Sequence, residues 1–387
     1  MSSAHRFEAR HLIDRATAEE SLRFVLSKID ANLPFFTDQF PTPVGKNNVY
    51  TPIPNNYWTT SFWTGMVWLA FEITGDTKYR RIAEQHLESF RERLAKRIET
   101  DTHDLGFLYT LSCVAGYKLT QNTQAKATAL AAADLLMARY FEKAGIIQAW
   151  GNLEDPKERG RMIIDCCMNL PLLYWATEIT GDLKYKNAAY RHAQQSARYL
   201  VRPDSSTYHT YYMDTETGAP KFGKTSQGYS DSSCWARGQA WGVYGFSLSY
   251  IYTRDASFLT QAKHLADYFL ERLPEDAICY WDLIFTSGKE ERDASAAAII
   301  VCGLLELIKH LPPIDPDRSR YENAAHAMLV SLTQNYTSRD LPSSNAVLLH
   351  SVYAKGNGLG IDESCIWGDY FYLEALVRVT RNWQLYW

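Results

Sequence analysis

The chain has 387 residues, 46% of them hydrophobic and 22% charged, with a formal net charge of −4. That apolar content supports a large core and excludes a disordered chain, while the weakly acidic balance excludes nucleic acid as the main partner. No stretch of about 18 apolar residues occurs, so no membrane-spanning helix is expected.

The opening MSSAHRFEARHLIDRATAEE lacks the apolar core of a secretory leader. The seven cysteines are scattered without metal-type spacing and read as reduced, mostly buried thiols. A cytoplasmic location is therefore expected. An amphipathic segment near residues 15 to 31 predicts a first helix, packed on the outside of the fold.

From Val67, VWLAFEITGDTKYRRIAEQHLESF predicts a helix, a Thr-Gly-Asp turn and a second helix. Glycine ends the first helix, and Asp76 accepts from the free NH groups of the next. The charges of residues 80 to 99 mix both signs, as expected of a solvated helix face. LLYWATEITGDLKYKNAAYRHAQQ, from Leu172, repeats the unit with Asp182 as the cap. Weaker versions follow at YKLTQNTQAKATALAA, at SYIYTRDASFLTQAKHLADYF with Asp255, and at LIKHLPPIDPDRSRYENAAHAML.

Helices after the turns carry one apolar stripe: Ala83, Leu87, Phe90 and Leu94; Ala129, Ala132, Leu136 and Tyr140; Ala262, Leu265, Ala266 and Phe269. Helices before the turns, such as FWTGMVWLAFEI, DASAAAIIVCGLLELI and CIWGDYFYLEALVRV, are apolar nearly all round, as burial on every side demands. Six outer and six inner helices alternate along the chain, predicting an all-α (α/α)6 barrel, one domain over residues 1–387. An open solenoid is the lesser alternative, because its repeats are more regular in length and need polar terminal caps.

Chemistry-bearing residues cluster where inner helices start: Trp58 in NNYWTTSFW, His103 and Asp104 in THDLGF, Asp165 and Asn169 in IIDCCMNLP, Arg237 and Trp241 in SCWARGQAW, Asp293 in ERDAS and Asp369 in CIWGDY. In a barrel these starts converge on one funnel. Polar groups among aromatics suit a sugar, and converging helix N-termini favour an anionic one. A lone Asp near a helix start is more often a cap than a catalyst, and Asp76, Asp182 and Asp255 are read as caps only. Asp104 and Asp165 stand apart because they lie in apolar surroundings, in a pattern repeated at several starts. Pro171 puts Asp165 just before or at the start of its helix, or else the segment is helical from residue 161 with Arg161, Asp165 and Asn169 on one face.

Across these blocks, together with NYWTTSFWTGMVWLAFEITGD, HDLGFLYTLS, GIIQAWG, RMIIDCCMNLPLLYWATEITGD, SSTYHTYYMD, SQGYSDSSCWARGQAWGVYGF and IWGDYFYLEALVR, the chain resembles the unsaturated glucuronyl hydrolases of glycoside hydrolase family 88. The resemblance covers nearly the whole chain and independently implies the (α/α)6 barrel. It implies action on lyase-generated oligosaccharides with a 4,5-unsaturated uronic acid at the non-reducing end. Asp165 is then expected to protonate C4 of the enol ether and activate the water that adds at C5. Asp104 is expected to support it by raising its pKa through charge repulsion. By the same resemblance His103 joins the substrate site, and Trp58, Trp150, His209, Gln227, Arg237 and Trp241 line the uronate subsite, Arg237 offering a planar fork. No cofactor and no metal is expected.

Streptococcal members of the family hold a 6-sulfate on the neighbouring sugar with two serines and a lysine. Here Ala354, Asn357 and Leu359 align with those positions, so an unsulfated disaccharide is expected unless Lys355 compensates. Two rival readings are an unsaturated rhamnogalacturonyl hydrolase and an N-acyl sugar epimerase. The latter needs paired histidines, and the motif blocks hold only His103 and His209.

Overall fold

A computed structural model describes residues 7–8 and 12–387; part of the N-terminal stretch read for a leader lies outside them. Among the described residues the helices are α1 (Arg15–Asn32), α2 (Thr60–Thr74), α3 (Thr77–Ala95), α4 (Leu105–Tyr109), α5 (Ala115–Thr120), α6 (Thr123–Met137), α7 (Pro171–Thr180), α8 (Leu183–Gln195), α9 (Ala236–Thr253), α10 (Ala256–Leu270), α11 (Ala294–His310), α12 (Pro316–Asn335) and α13 (Ile366–Thr380). A π-helical turn, Thr110–Val114, joins α4 and α5 into one rod. Counting that rod once, six inner helices (α2, α4 with α5, α7, α9, α11, α13) alternate with six outer ones. Each inner helix touches the next, and α13 returns to α2, closing an (α/α)6 barrel.

The turn chemistry explains the repeat. Gly75 and Gly181 end α2 and α7 in the left-handed conformation, and Asp76 and Asp182 accept from the NH groups of Lys78 and Lys184. The weaker repeats keep the geometry without glycine. Gln121 (φ 57°) and Arg254 (φ 59°) take the left-handed position before the caps Asn122 and Asp255. At the fifth turn Asp315 caps α12, with Pro316 in its first turn.

The stripes of α3, α6 and α10 are buried against the inner ring, with one departure. Tyr140 lies past the end of α6, in a two-residue strand paired with Ile146–Ile147. Ala236–Ser249 of α9 and Ala294–Ile308 of α11 are buried without a break, as their all-round apolar sequences require. All seven cysteines are buried and unbridged. Among the described residues no helix is long and apolar enough to cross a membrane.

Short turns link inner to outer helices at one end of the barrel. Longer segments lead into the inner helices at the other end, and two small antiparallel sheets cover it. One joins Arg161–Ile163, Thr210–Met213 and Pro220–Lys224; the other is the hairpin Ser351–Ala354 with Leu359–Glu363.

Candidate active site

The segment around Asp165 resolves its own two alternatives. Arg161–Ile163 is a strand, Ile164–Met168 a 3₁₀ turn, and Pro171 opens α7, so the segment is not helical from residue 161. The tight turn sends Ile164, Cys166, Cys167 and Met168 into the core. Asp165 alone keeps an outlet, its side chain 15% exposed.

Asp104 sits on the facing segment, just before α4. The two segments meet at Gly106, where a Cβ would lie 2.3 Å from Cα of Asn169, so only glycine permits the approach. Asn169 locks the junction: its Oδ1 accepts from Phe107 N–H (2.7 Å) and its amide donates to the backbone oxygen of Asp165 (3.3 Å).

Between the two carboxyls lies His103. Its Nε2 is 3.5 Å from Asp104 and 3.8 Å from Asp165. Burial, with Arg139 nearby, pushes the imidazole down to about 3, so it is neutral near pH 7. Burial raises Asp104 to about 6, against the Thr102 hydroxyl (2.8 Å) and the Asn169 amide, which favour its ionised form. Asp165 is pushed well above the ordinary carboxylate range, by burial first and by the charge of Asp104 second. Its buried Oδ1 finds no hydrogen-bond partner among the described residues. Asp165 thus holds its proton more tightly than an ordinary carboxyl, with Asp104 beside it.

Both carboxyls open on a cavity of about 310 Å³ lined by Trp58, Trp150, Gln227, Tyr353 and the hairpin residues Ala354, Asn357 and Leu359, among others. A second lobe of about 630 Å³ shares Tyr57, Trp58, Asp104 and Trp150 and runs on to Arg93, Glu99 and Asp101. Trp58 is braced by Trp367 (ring centroids 5.3 Å, stacked) and donates from Nε1 to the Tyr353 hydroxyl (3.0 Å).

Of the residues expected at the subsite, Trp58, Trp150 and Gln227 line the cavity and four stand behind its wall. His103 is the buried imidazole described above, and neither of its ring nitrogens finds a hydrogen-bond partner among the described residues. His209 accepts at Nδ1 from the backbone NH groups of Ser226 (2.9 Å) and Gln227 (3.2 Å), which fixes its proton on Nε2 and shapes that loop. The planar fork expected of Arg237 is turned to the protein instead. Nη1 donates to Val352 O (2.6 Å) and Asp293 (3.3 Å), Nη2 to Gln227 Oε1 (2.6 Å) and Tyr353 O (2.8 Å), and the side chain is 1% exposed. Trp241 is packed among Phe107 (5.2 Å) and Phe371 (5.3 Å). The cause is the helix start: α9 begins at Ala236, so Arg237 lies in its first turn and Trp241 about 6 Å deeper.

Lys355 is not among the residues that line the cavity. Its ammonium pairs with Glu290 (2.6 Å) and Glu291, away from the cavity. Sequence reasoning passed over Tyr57 and Ser226, which lie inside quoted blocks, and Tyr353, which directly precedes Ala354. It also read Arg93 as part of a solvated face. Arg93 is buried and donates to Ile98 O, Glu99 O, Tyr57 O, Asn55 and Thr60. No pattern of charge could have separated it from its neighbours in the run.

Residues 36–352 match the family described as Glycosyl Hydrolase Family 88. The protein named Unsaturated chondroitin disaccharide hydrolase from Streptococcus agalactiae serotype III (strain NEM316) is 48% identical over 383 residues, covering 99% of this chain and 96% of its own. The crystal structure of the unsaturated glucuronyl hydrolase from Bacillus sp. GL1 has a TM-score of 0.91 at 45% identity, covering 94% of this chain and 97% of its own. A mutant unsaturated glucuronyl hydrolase from Streptococcus agalactiae, complexed with dGlcA-GalNAc6S, has a TM-score of 0.89 at 45% identity over 99% and 96% of the two chains.

Proposed function

The chain belongs to Glycosyl Hydrolase Family 88, and from that membership we infer an unsaturated glucuronyl hydrolase that removes the 4,5-unsaturated uronic acid from the non-reducing end of glycosaminoglycan-type oligosaccharides. The observation that carries the mechanism is Asp165 on its 3₁₀ turn, its pKa pushed up by burial, facing a tryptophan-walled cavity with Asp104 beside it.

In the reaction we propose, the Asp165 O–H gives its proton to C4 of the C4=C5 enol ether, leaving positive charge shared between C5 and the ring oxygen. The new Asp165 carboxylate takes a proton from water as the water oxygen bonds to C5. The hemiketal at C5 opens its ring, and the hemiacetal left at C1 breaks down, freeing the next sugar as an alcohol. One carboxyl thus acts as acid and then as base. Asp104, ionised at neutral pH, holds Asp165 protonated between turnovers by repulsion, and neutral His103 separates the two without adding charge. Trp58 and Trp150 offer faces to the uronate ring and Gln227 a polar anchor. His209, Arg237 and Trp241 serve as positioning residues behind them.

The neighbouring sugar is proposed to be unsulfated. Ala354, Asn357 and Leu359 bring no cation and no hydroxyl to the cavity, and Lys355 is neutralised by two glutamates. A single catalytic barrel over residues 1–387 and a cytoplasmic location, supported by seven unbridged buried cysteines, belong to the same proposal.

The test is the loss of the ultraviolet absorbance of the conjugated enol-ether carboxylate, followed on unsaturated disaccharides of unsulfated chondroitin, 6-sulfated chondroitin and rhamnogalacturonan. Rapid loss on the first and slow loss on the second is the expected result. No loss on either chondroitin disaccharide would overturn the reading.

A further inference from the structure

We propose that the loops carrying Tyr229 and Ile284 form a second sugar-binding platform on the rim of the cavity, which takes the reducing-end rings of an unsaturated oligosaccharide longer than a disaccharide. The proposal rests on the hydrolase reading above and extends it to chain length.

The platform is built rather than incidental. Residues 225–231 fold back on themselves, with Thr225 N–H donating to Asp231 (2.8 Å) and Gly228 N–H to Thr225 Oγ1 (2.8 Å). Asp282, wholly buried, then accepts from Tyr229 N–H (2.8 Å), Cys234 N–H (3.2 Å), Ile284 N–H (3.0 Å) and the Ser233 hydroxyl (2.6 Å). One carboxylate clamps the two loops together. What the clamp displays is apolar: Tyr229 is 60% exposed and Ile284 52%. Phe285 (5.1 Å, 77°) and Trp281 (6.2 Å, 67°) meet the Tyr229 ring at steep angles and stiffen it. Loops that needed only to be soluble would gain nothing from holding such a cluster in water. Rigid aromatic faces beside a polar rim are how sugar rings are gripped.

Position identifies the occupant. Gln227 lines the catalytic cavity and stands two residues before Tyr229, at most about 7 Å of extended chain. On the other flank the Lys355 ammonium lies 5.4 Å over the Trp281 ring, and its neighbours Ala354, Asn357 and Leu359 line the cavity. The platform is therefore continuous with the wall expected to face the sugar after the uronate. With Lys355 paired to Glu290 and Glu291, its surface suits the apolar faces of unsulfated rings rather than sulfates.

The experiment compares kcat/KM on the unsaturated tetrasaccharide and disaccharide of unsulfated chondroitin for the wild type, Tyr229→Ala, Tyr229→Phe and Ile284→Ala. The wild type is expected to favour the tetrasaccharide through a lower KM. Tyr229→Ala should shrink the tetrasaccharide-to-disaccharide ratio about tenfold and Ile284→Ala should shrink it less, while Tyr229→Phe, which keeps the ring face, preserves it. A wild type that consumes the disaccharide but shows no tetrasaccharide preference would overturn the platform alone. So would a ratio unmoved by Tyr229→Ala. A wild type that consumes neither substrate would overturn the hydrolase reading, and the platform with it.

Discussion

A carboxyl set among Ile163, Ile164, Cys166 and Cys167 would be costly as an ion, and the 3₁₀ turn turns that cost to use by giving Asp165 an outlet while keeping it protonated. Asp165→Asn should lower kcat by at least about a thousandfold with an unchanged helical circular dichroism spectrum, because the amide has no proton to give. Near-native turnover by that variant would refute the mechanism. Asp104→Asn should cost less, about a hundredfold, since it removes repulsion and not the acid. The pair also sets the pH profile. Activity should fall on the acid side as Asp104 takes up its proton near pH 6, and on the alkaline side as Asp165 loses the proton it must donate, so kcat/KM against pH should be bell-shaped.

The same shifts bear on stability. Both carboxyls have folded pKa values raised above their unfolded ones, so the native state binds more protons and loses stability as pH rises through the interval from about 4 upward. Asn at either position carries no such penalty. The melting temperature of Asp165→Asn relative to wild type should therefore increase between pH 4 and pH 8. A constant difference across that range would contradict the assignment.

At the scale of elements, the hairpin turns show why one repeat was plain in the sequence and others faint. The left-handed residue is glycine after α2 and α7 but Gln121 and Arg254 elsewhere, so the geometry persists while its usual marker is missing. Gln121→Gly should stabilise the protein by roughly 0.5–1 kcal/mol, read as a higher melting temperature, because glycine takes this conformation without steric cost. Gly106 is the opposite case. A methyl group there would strike the backbone of Asn169, so Gly106→Ala should force α4 away from the 3₁₀ turn, lowering both melting temperature and turnover. A variant that kept full activity would show that the two carboxyl segments need not pack so closely.

For the molecule as a whole, barrel closure brings six helix starts, far apart in the chain, to one mouth. That convergence makes the funnel; in the mechanism proposed above the proton comes from Asp165 and the field from Asp104, with no part for a bound ion. Full activity should survive exhaustive chelation, and a loss restored by a divalent cation would contradict the mechanism.

Much of this was legible in the chain. Periodicity separated outer from inner helices, Pro171 marked the start of α7, and apolar neighbours singled out Asp165, because local propensity and burial leave local traces. What the sequence could not determine was direction. Whether Arg237 reaches substrate or protein, whether Lys355 faces the cavity or Glu290, and whether Arg93 meets solvent or five acceptors depend on which distant segment lies within a few ångströms. Only closure of the tertiary structure decided those partners. A side chain's charge and size are written at its own position, whereas the groups that satisfy it are supplied by parts of the chain that meet it only in the fold.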